Sequence, residues 1–203
     1  MVRPFPFVGD DVALVEALRL GQPAARAALF DRHAPRVQRV LARVLGTDEE
    51  LGDLLHEVFV RALDGIGKLE DPAALEGWLT SIAVFTARGL IRRRKARRWL
   101  RFFATQDVPE PEAPVASPEV TRALRSTYRV LEQLPTDERI VFCLRVIDGM
   151  ELTVVARACG VSLATIKRRL ARAEEHFVAR ARAEPELADW LEGGARWAAT
   201  DRT

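Results

Sequence analysis

Apolar residues recur every three or four positions through most of the chain, and no stretch shows a convincing strand run. The pattern predicts an all-α protein. A first helical run opens at Asp10 or Asp11, places Leu14 and Leu18 on one face, and pauses at Gly21-Gln22-Pro23. A longer run carries Leu29, Phe30, His33, Val37, Val40, Leu41 and Val44 up to Gly46, a residue suited to ending a helix. Pro35 inside it predicts a kink or a split. A third helix is expected to start near Thr47, a capping hydroxyl followed by acids that suit the positive end of a helix dipole. Its buried stripe is Leu51, Leu54, Leu55, Val58, Phe59 and Ala62. After the loop GIGKLED (65–71), Asp71-Pro72 form an N-cap and N1 pair that launches a fourth helix. Trp78, Leu79 and Ile82 turn it inward, and the run continues into TARGLIRRRKARRWLRFF (86–103).

Periodicity then stops. Residues 104–118, ATQDVPEPEAPVASP, hold four prolines and three acids and read as an extended linker, with Ser117-Pro118 starting the next helix. The chain thus divides into an arm (1–9), a helical domain (10–103), the linker, a second helical domain (119–182) and a short tail (183–203) with a small helix after Pro185. No large fused regulatory domain is expected in so short a tail.

Within the second domain, a helix after Leu134-Pro135-Thr136-Asp137 turns Ile140, Val141, Leu144 and Ile147 inward and stops at Asp148-Gly149. Residues 150–177 then carry the pattern of a helix-turn-helix. Leu152, Val155 and Ala156 make a short apolar face, Cys159-Gly160-Val161 the turn, and Ser162 a cap for the next helix. That helix places Ile166, Leu170, Ala173 and Phe177 on one face. Ser162, Ala164, Thr165, Lys167, Arg168, Arg169 and Arg172 lie at its start or on the open faces, where hydroxyl and guanidinium groups suit a major groove. Any solvated helix also shows charges opposite an apolar stripe, so the rest of the chain has to add to this reading.

Charge adds to it through distribution. The 203 residues carry a net charge of only +2, yet residues 86–103 hold Arg88, Arg92, Arg93, Arg94, Lys95, Arg97, Arg98 and Arg101 without one acid. Such a run, ending in Trp99, Phe102 and Phe103, suits a phosphate backbone with aromatics available for stacking. Cys143 and Cys159 sit in apolar helical contexts and are expected to be buried free thiols. The three histidines are far apart in sequence, so neither a metal site nor a cofactor is assigned. Nothing approaches the roughly 20 apolar residues of a membrane span, and MVRPFPFVGDD has no signal-peptide pattern, so the cytoplasm is the expected compartment.

The order of these pieces resembles one family. The segments DLLHEVF (53–59), GWL (77–79) and the arginine run are similar to region 2 of bacterial RNA polymerase sigma factors of the extracytoplasmic-function group. LEQLPTDER (131–139), DGMEL (148–152) and CGVSLATIKRRL (159–170) are similar to region 4. The resemblance covers about residues 10–182 and implies a dissociable initiation subunit without a catalytic site or small-molecule substrate. It implies that region 2 docks on the clamp coiled coil of the β′ subunit of core RNA polymerase and captures unstacked bases of the minus-10 element. Region 4 would read the minus-35 element and sit on the β flap. A cognate anti-sigma protein is a further partner the family implies.

Residues of this chain fit those roles. Asp53, His56, Glu57 and Arg61 form a charged helix front for the polymerase, though a merely solvated face has the same pattern. Lys68, Trp78, Phe85, Arg88, Arg92, Arg93, Arg94, Lys95, Arg97 and Arg98 would serve minus-10 binding and melting, with Trp78 open to a core role instead. Four positions depart from the family's habit: His56 for glutamine, Phe85 for asparagine, Gly89 for aspartate and Val154 for glutamate. Two other classes compete with this reading. A free-standing helix-turn-helix regulator of the LuxR-like class needs a dimer seam, which the first half does not strongly show. A helical enzyme needs a nucleophile motif, phosphate loop or carboxylate constellation that the sequence does not supply.

Overall fold

The computed structural model describes residues 7–46, 48–101 and 118–192, and these fold as helices α1 (Asp11–Arg19), α2 (Pro23–Leu45), α3 (Leu51–Gly65), α4 (Leu75–Arg101), α5 (Pro118–Gln133), α6 (Thr136–Phe142), α7 (Leu152–Cys159), α8 (Leu163–Ala181) and α9 (Pro185–Glu192). Among the described residues there is no strand, and no helix is long and apolar enough to cross a membrane.

Local chemistry sets most of the boundaries. Asp10 caps α1 by accepting from the Ala13 N–H at 2.9 Å, and Gly46 ends α2 at φ 86°, a conformation costly for any residue with a Cβ. Three boundaries differ from the sequence reading. Pro35 neither splits nor ends α2, which runs unbroken through it; buried Ala34 and Val37 on either side hold the helix against the core. The third helix begins at Leu51, because Asp48 spends its carboxylate on the Glu50 N–H and builds a turn first; Thr47 lies outside the described residues. Asp71 does cap, accepting from Ala73 N–H at 3.0 Å, but the chain makes one tight 3₁₀ turn, Pro72–Ala74, before α4 begins.

In the first domain α4 is the central element, packed against α2 and α3, with α1 closing over α2. Leu14, Leu29, Leu41, Leu75 and Leu79 are buried at its centre. In the second, α8 lies across α5, α6 and α7, and α9 covers α5 and α8. A π-helical turn, Cys143–Ile147, continues α6, and the Phe142 ring stacks on that of Phe177 with centroids 4.5 Å apart. Both cysteines are buried and free, and burial pushes the Cys143 thiol up to about 12.

The two domains lie against each other, with α7 and α6 on α4. Arg139, buried on α6, donates from Nε to the Val44 carbonyl at 3.0 Å and from Nη2 to the Leu45 carbonyl at 3.2 Å. The Tyr128 hydroxyl lies 3.2 Å from both the Ala42 and the Arg43 carbonyl oxygens. A helix end leaves its last carbonyls without intrahelical partners; here side chains of the other domain supply those of Arg43, Val44 and Leu45, while the Ala42 carbonyl also accepts the Gly46 N–H at 2.8 Å. Desolvation lowers the Arg139 pKa and raises that of Tyr128 to about 12.

Candidate nucleic-acid interface

The helix-turn-helix forms as its residue types require. Gly160 takes the left-handed conformation at φ 67°, ψ 36° and donates back to α7, and the Ser162 hydroxyl accepts from the Thr165 N–H at 3.3 Å to open α8. Burial of Ile166, Ala173 and Phe177 then fixes which face is left outside. Ser162, Ala164, Lys167, Arg168 and Arg172 are exposed, while Thr165 is half-buried with its hydroxyl 3.0 Å from that of Ser162. Arg169 is half-buried, and its guanidinium turns to Asp137 at 3.0 Å.

The basic stretch of α4 divides by direction. Arg92, Arg93 and Arg97 are exposed and make no ion pair among the described residues. Arg94 pairs with Asp48 and, at 2.9 Å, with Glu50. Lys95 donates to the Leu134 carbonyl at 2.5 Å. Arg88 lies 3.0 Å from Asp137, held by charge without an aligned hydrogen bond. Treating the run as unpaired therefore holds for only part of it, because its acids arrive from the α2–α3 connection and from the second domain. The side chains of Arg98, Trp99 and Arg101, and all of Phe102 and Phe103, lie outside the described residues.

Asp53, His56 and Arg61 are exposed on one face of α3, with Glu57 half-buried between them. Glu57 accepts from Arg61 Nε at 3.0 Å and Nη2 at 2.6 Å. The Arg61 guanidinium in turn lies 5.5 Å from the centroid of the Phe85 ring on α4. Phe85 is 59% exposed, which no core role explains. The two surfaces assigned separately in the sequence, the α3 front and the outer face of α4, therefore meet at Arg61 and Phe85.

Trp78 occupies a middle position. Its ring packs 3.2 Å from where a Cβ on Gly65 would lie, yet it also lines a cleft of about 560 Å³ with Lys68 and Asp71. The far wall of that cleft is Val154 and Arg157 on α7, so the loop after α3 is roofed by the second domain. Sequence reasoning did not single out Asp137, Arg139 or Tyr128. Asp137 reads as a first-turn acid and Tyr128 as one of several large residues on an amphipathic helix; nothing local marks them as contacts to a distant domain.

Comparison with known proteins agrees with this layout. The model for sigma-70 region 2 matches residues 29–97, and the model for sigma-70 region 4 matches residues 124–177. The RNA polymerase sigma-H factor of Pseudomonas aeruginosa is 25% identical over 178 residues, spanning 82% of this chain and 91% of that protein. The extracytoplasmic-function sigma-E factor of Escherichia coli is 26% identical over 177 residues, spanning 81% and 91%. Among solved structures, CnrH in complex with the cytosolic domain of CnrY aligns with a TM-score of 0.60 at 25% identity, over 86% of this chain and 98% of that one. The sigma factor RpoE of Bartonella quintana, solved with the anti-sigma factor NepR, shares the fold, with a TM-score of 0.56 at 18% identity over 76% and 95%. The chain belongs to the extracytoplasmic-function group of the sigma-70 family and is a promoter-directing transcription initiation factor.

Proposed function

We propose that the two domains divide promoter reading between them while the charged front of α3 holds core RNA polymerase. Asp53, His56, Glu57 and Arg61 meet the β′ clamp coiled coil. Phe85 offers an aromatic face to an unstacked base beside them, and Arg92, Arg93, Arg97 and Arg98 neutralise phosphates of the melting strand. Lys68, Trp78, Arg88, Arg94 and Lys95 belong to the same minus-10 surface. Ser162, Ala164, Thr165, Lys167, Arg168, Arg169 and Arg172 read the minus-35 element while the second domain rests on the β flap. The subunit contributes binding and orientation, with the chemistry left to the polymerase, and acts in the cytoplasm, restrained by a cognate anti-sigma protein.

The observation that carries this reading is the pair of exposed basic surfaces, Arg92, Arg93 and Arg97 on α4 and Lys167, Arg168 and Arg172 on α8, each backed by a buried apolar stripe. The test is transcription from a supercoiled genomic template library by core polymerase, with and without this chain. New start sites sharing two motifs at fixed spacing are expected. Failure to bind core polymerase would overturn the reading.

A further inference from the structure

Helix α1 lies ahead of residues 29–97, the stretch that matches region 2, yet it is built firmly into the first domain. Leu14, Val15, Ala17 and Leu18 are buried, and Asp11 lies 3.3 Å from His33 Nε2 and 3.8 Å from Arg32 Nη1, both on α2. Pinned there at its start, α1 runs against the connection between α3 and α4, meeting both of its 3₁₀ turns, Ile66–Lys68 and Pro72–Ala74. From the last turn of α1, Arg19 donates through Nη2 to the carbonyl oxygen of Leu69, in the middle of that loop. Glu16, one turn earlier, accepts from Arg19 Nη1 at 2.7 Å and aims the guanidinium.

The other restraints on the loop are local. Ile66 and Leu69 are buried, the Leu69 N–H reaches the Ile66 carbonyl at 3.3 Å, and Asp71 caps the turn that follows. Gly67, Lys68 and Glu70 are exposed, so Leu69 is the inward pivot between two outward residues. A buried carbonyl needs a donor, and a charged donor holds it more strongly than a neutral one. The bond also sets a direction. The peptide from Leu69 to Glu70 is trans, so its N–H points opposite to its C=O. With the oxygen drawn to α1, the Glu70 N–H faces away from α1, and among the described residues it donates to no hydrogen bond.

We propose that Arg19 is a positioning residue for minus-10 recognition: through the Leu69 carbonyl it fixes the backbone that carries Lys68 and the Glu70 N–H, so that the loop meets an unstacked base already shaped. Arg19 itself touches no DNA. The inference rests on the assignment of Lys68 and its loop to the minus-10 element. A loop free to change shape adjusts to several bases, whereas fixed donors accept the base whose acceptors meet them and leave the others unpaired.

The test compares the full-length wild type with Arg19→Ala, Arg19→Lys, Glu16→Gln and Lys68→Ala. Amide exchange of the free chain, followed by NMR, reads the loop. Transcription by the holoenzyme from a promoter found by start-site mapping, and from its single-base variants in the minus-10 and minus-35 elements, reads recognition. In Arg19→Ala the Leu69 amide is expected to exchange about tenfold faster, and the preference among minus-10 bases to fall about tenfold. The minus-35 preference and core polymerase binding should stay as in the wild type. The salt dependence of promoter binding should also stay, because no phosphate contact is lost, whereas in Lys68→Ala it should flatten.

Arg19→Lys keeps a charged donor and should recover most of both losses. Glu16→Gln keeps the guanidinium but loosens its aim, so it should move both readouts in the direction of Arg19→Ala by less; it carries the test if Arg19→Ala does not fold. Unchanged exchange at Leu69 would overturn the proposal. A loss spread equally over both promoter elements would overturn it as well, marking a folding role alone, and so would a flattened salt dependence in Arg19→Ala, marking direct contact with DNA. Faster exchange with an unaltered minus-10 preference also overturns it. In that case an effective Lys68→Ala leaves the assignment of the loop to the minus-10 element standing, and a silent one marks the failure of that assignment too.

Discussion

The ring of Tyr128 closes over Gly46, such that a Cβ built on this glycine lies 2.9 Å from Cδ1 of the ring. Gly46 also sits at φ 86°, whereas Gly160, at φ 67°, has open space around its Cβ direction. Gly160→Ala therefore meets only backbone strain, about 1 kcal/mol. Gly46→Ala meets strain and a ring packed from the other domain, and is expected to cost about 3 kcal/mol. Urea denaturation of the two variants checks the ranking; equal losses would contradict the contact.

Neighbouring arginines on α4 should fail in different ways. Arg92→Ala with Arg93→Ala removes exposed cations, so transcription and duplex binding weaken and the salt dependence flattens by about 0.7 to 0.9 in log–log slope for each phosphate no longer neutralised. Arg94→Ala instead removes the partner of a carboxylate that is only 5% exposed. Its expected signature is a lower melting temperature, with a smaller change in salt slope.

Acid should find the same ion pair. Burial raises the Asp48 pKa, but the hydrogen bonds from Arg94 and from the Glu50 N–H outweigh it, and the net shift is below the ordinary 3.8. A folded-state pKa below the unfolded value means stability that is present above about 3.8 and lost as pH falls through the lower folded value. Asp48→Asn should therefore reduce stability at neutral pH and flatten the dependence of the urea midpoint on pH below 4. An unchanged acid slope would remove Asp48 from the account.

On α8 the cap and the reader can be separated. Ser162→Ala is expected to destabilise the second domain by about 1 kcal/mol through loss of the helix cap. Arg168→Ala leaves the fold unchanged and weakens use of the minus-35 element by about 1–3 kcal/mol, relaxing sequence preference at the bases it contacts. Core polymerase binding measured beside transcription distinguishes the two, since Arg168→Ala should leave it unaltered.

The helices and their buried faces are legible in the sequence because burial repeats with the period of the element. Leu54, Val58, Phe59 and Ala62 read as a buried stripe on α3, and all are buried. The helix-turn-helix is legible for the same reason, helped by Gly160 and Ser162, whose chemistry suits one local conformation each. Contacts between distant segments have no such period. Arg139 stands in a run of polar residues, and nothing near it says that its guanidinium is inserted at the end of α2, almost a hundred positions earlier. At Pro35 the split that the sequence allows does not occur, since local backbone preference yields to the packing of the residues beside it.

The last turn of α2 offers a row of carbonyl oxygens, from Ala42, Arg43, Val44 and Leu45, that is filled in this arrangement by a phenol and a guanidinium from elsewhere in the chain. A cationic or hydroxyl-bearing group on any other surface that meets this edge has to share the oxygens of Arg43, Val44 and Leu45 with Tyr128 and Arg139, so what binds at the end of α2 and what binds the second domain are felt at one spot.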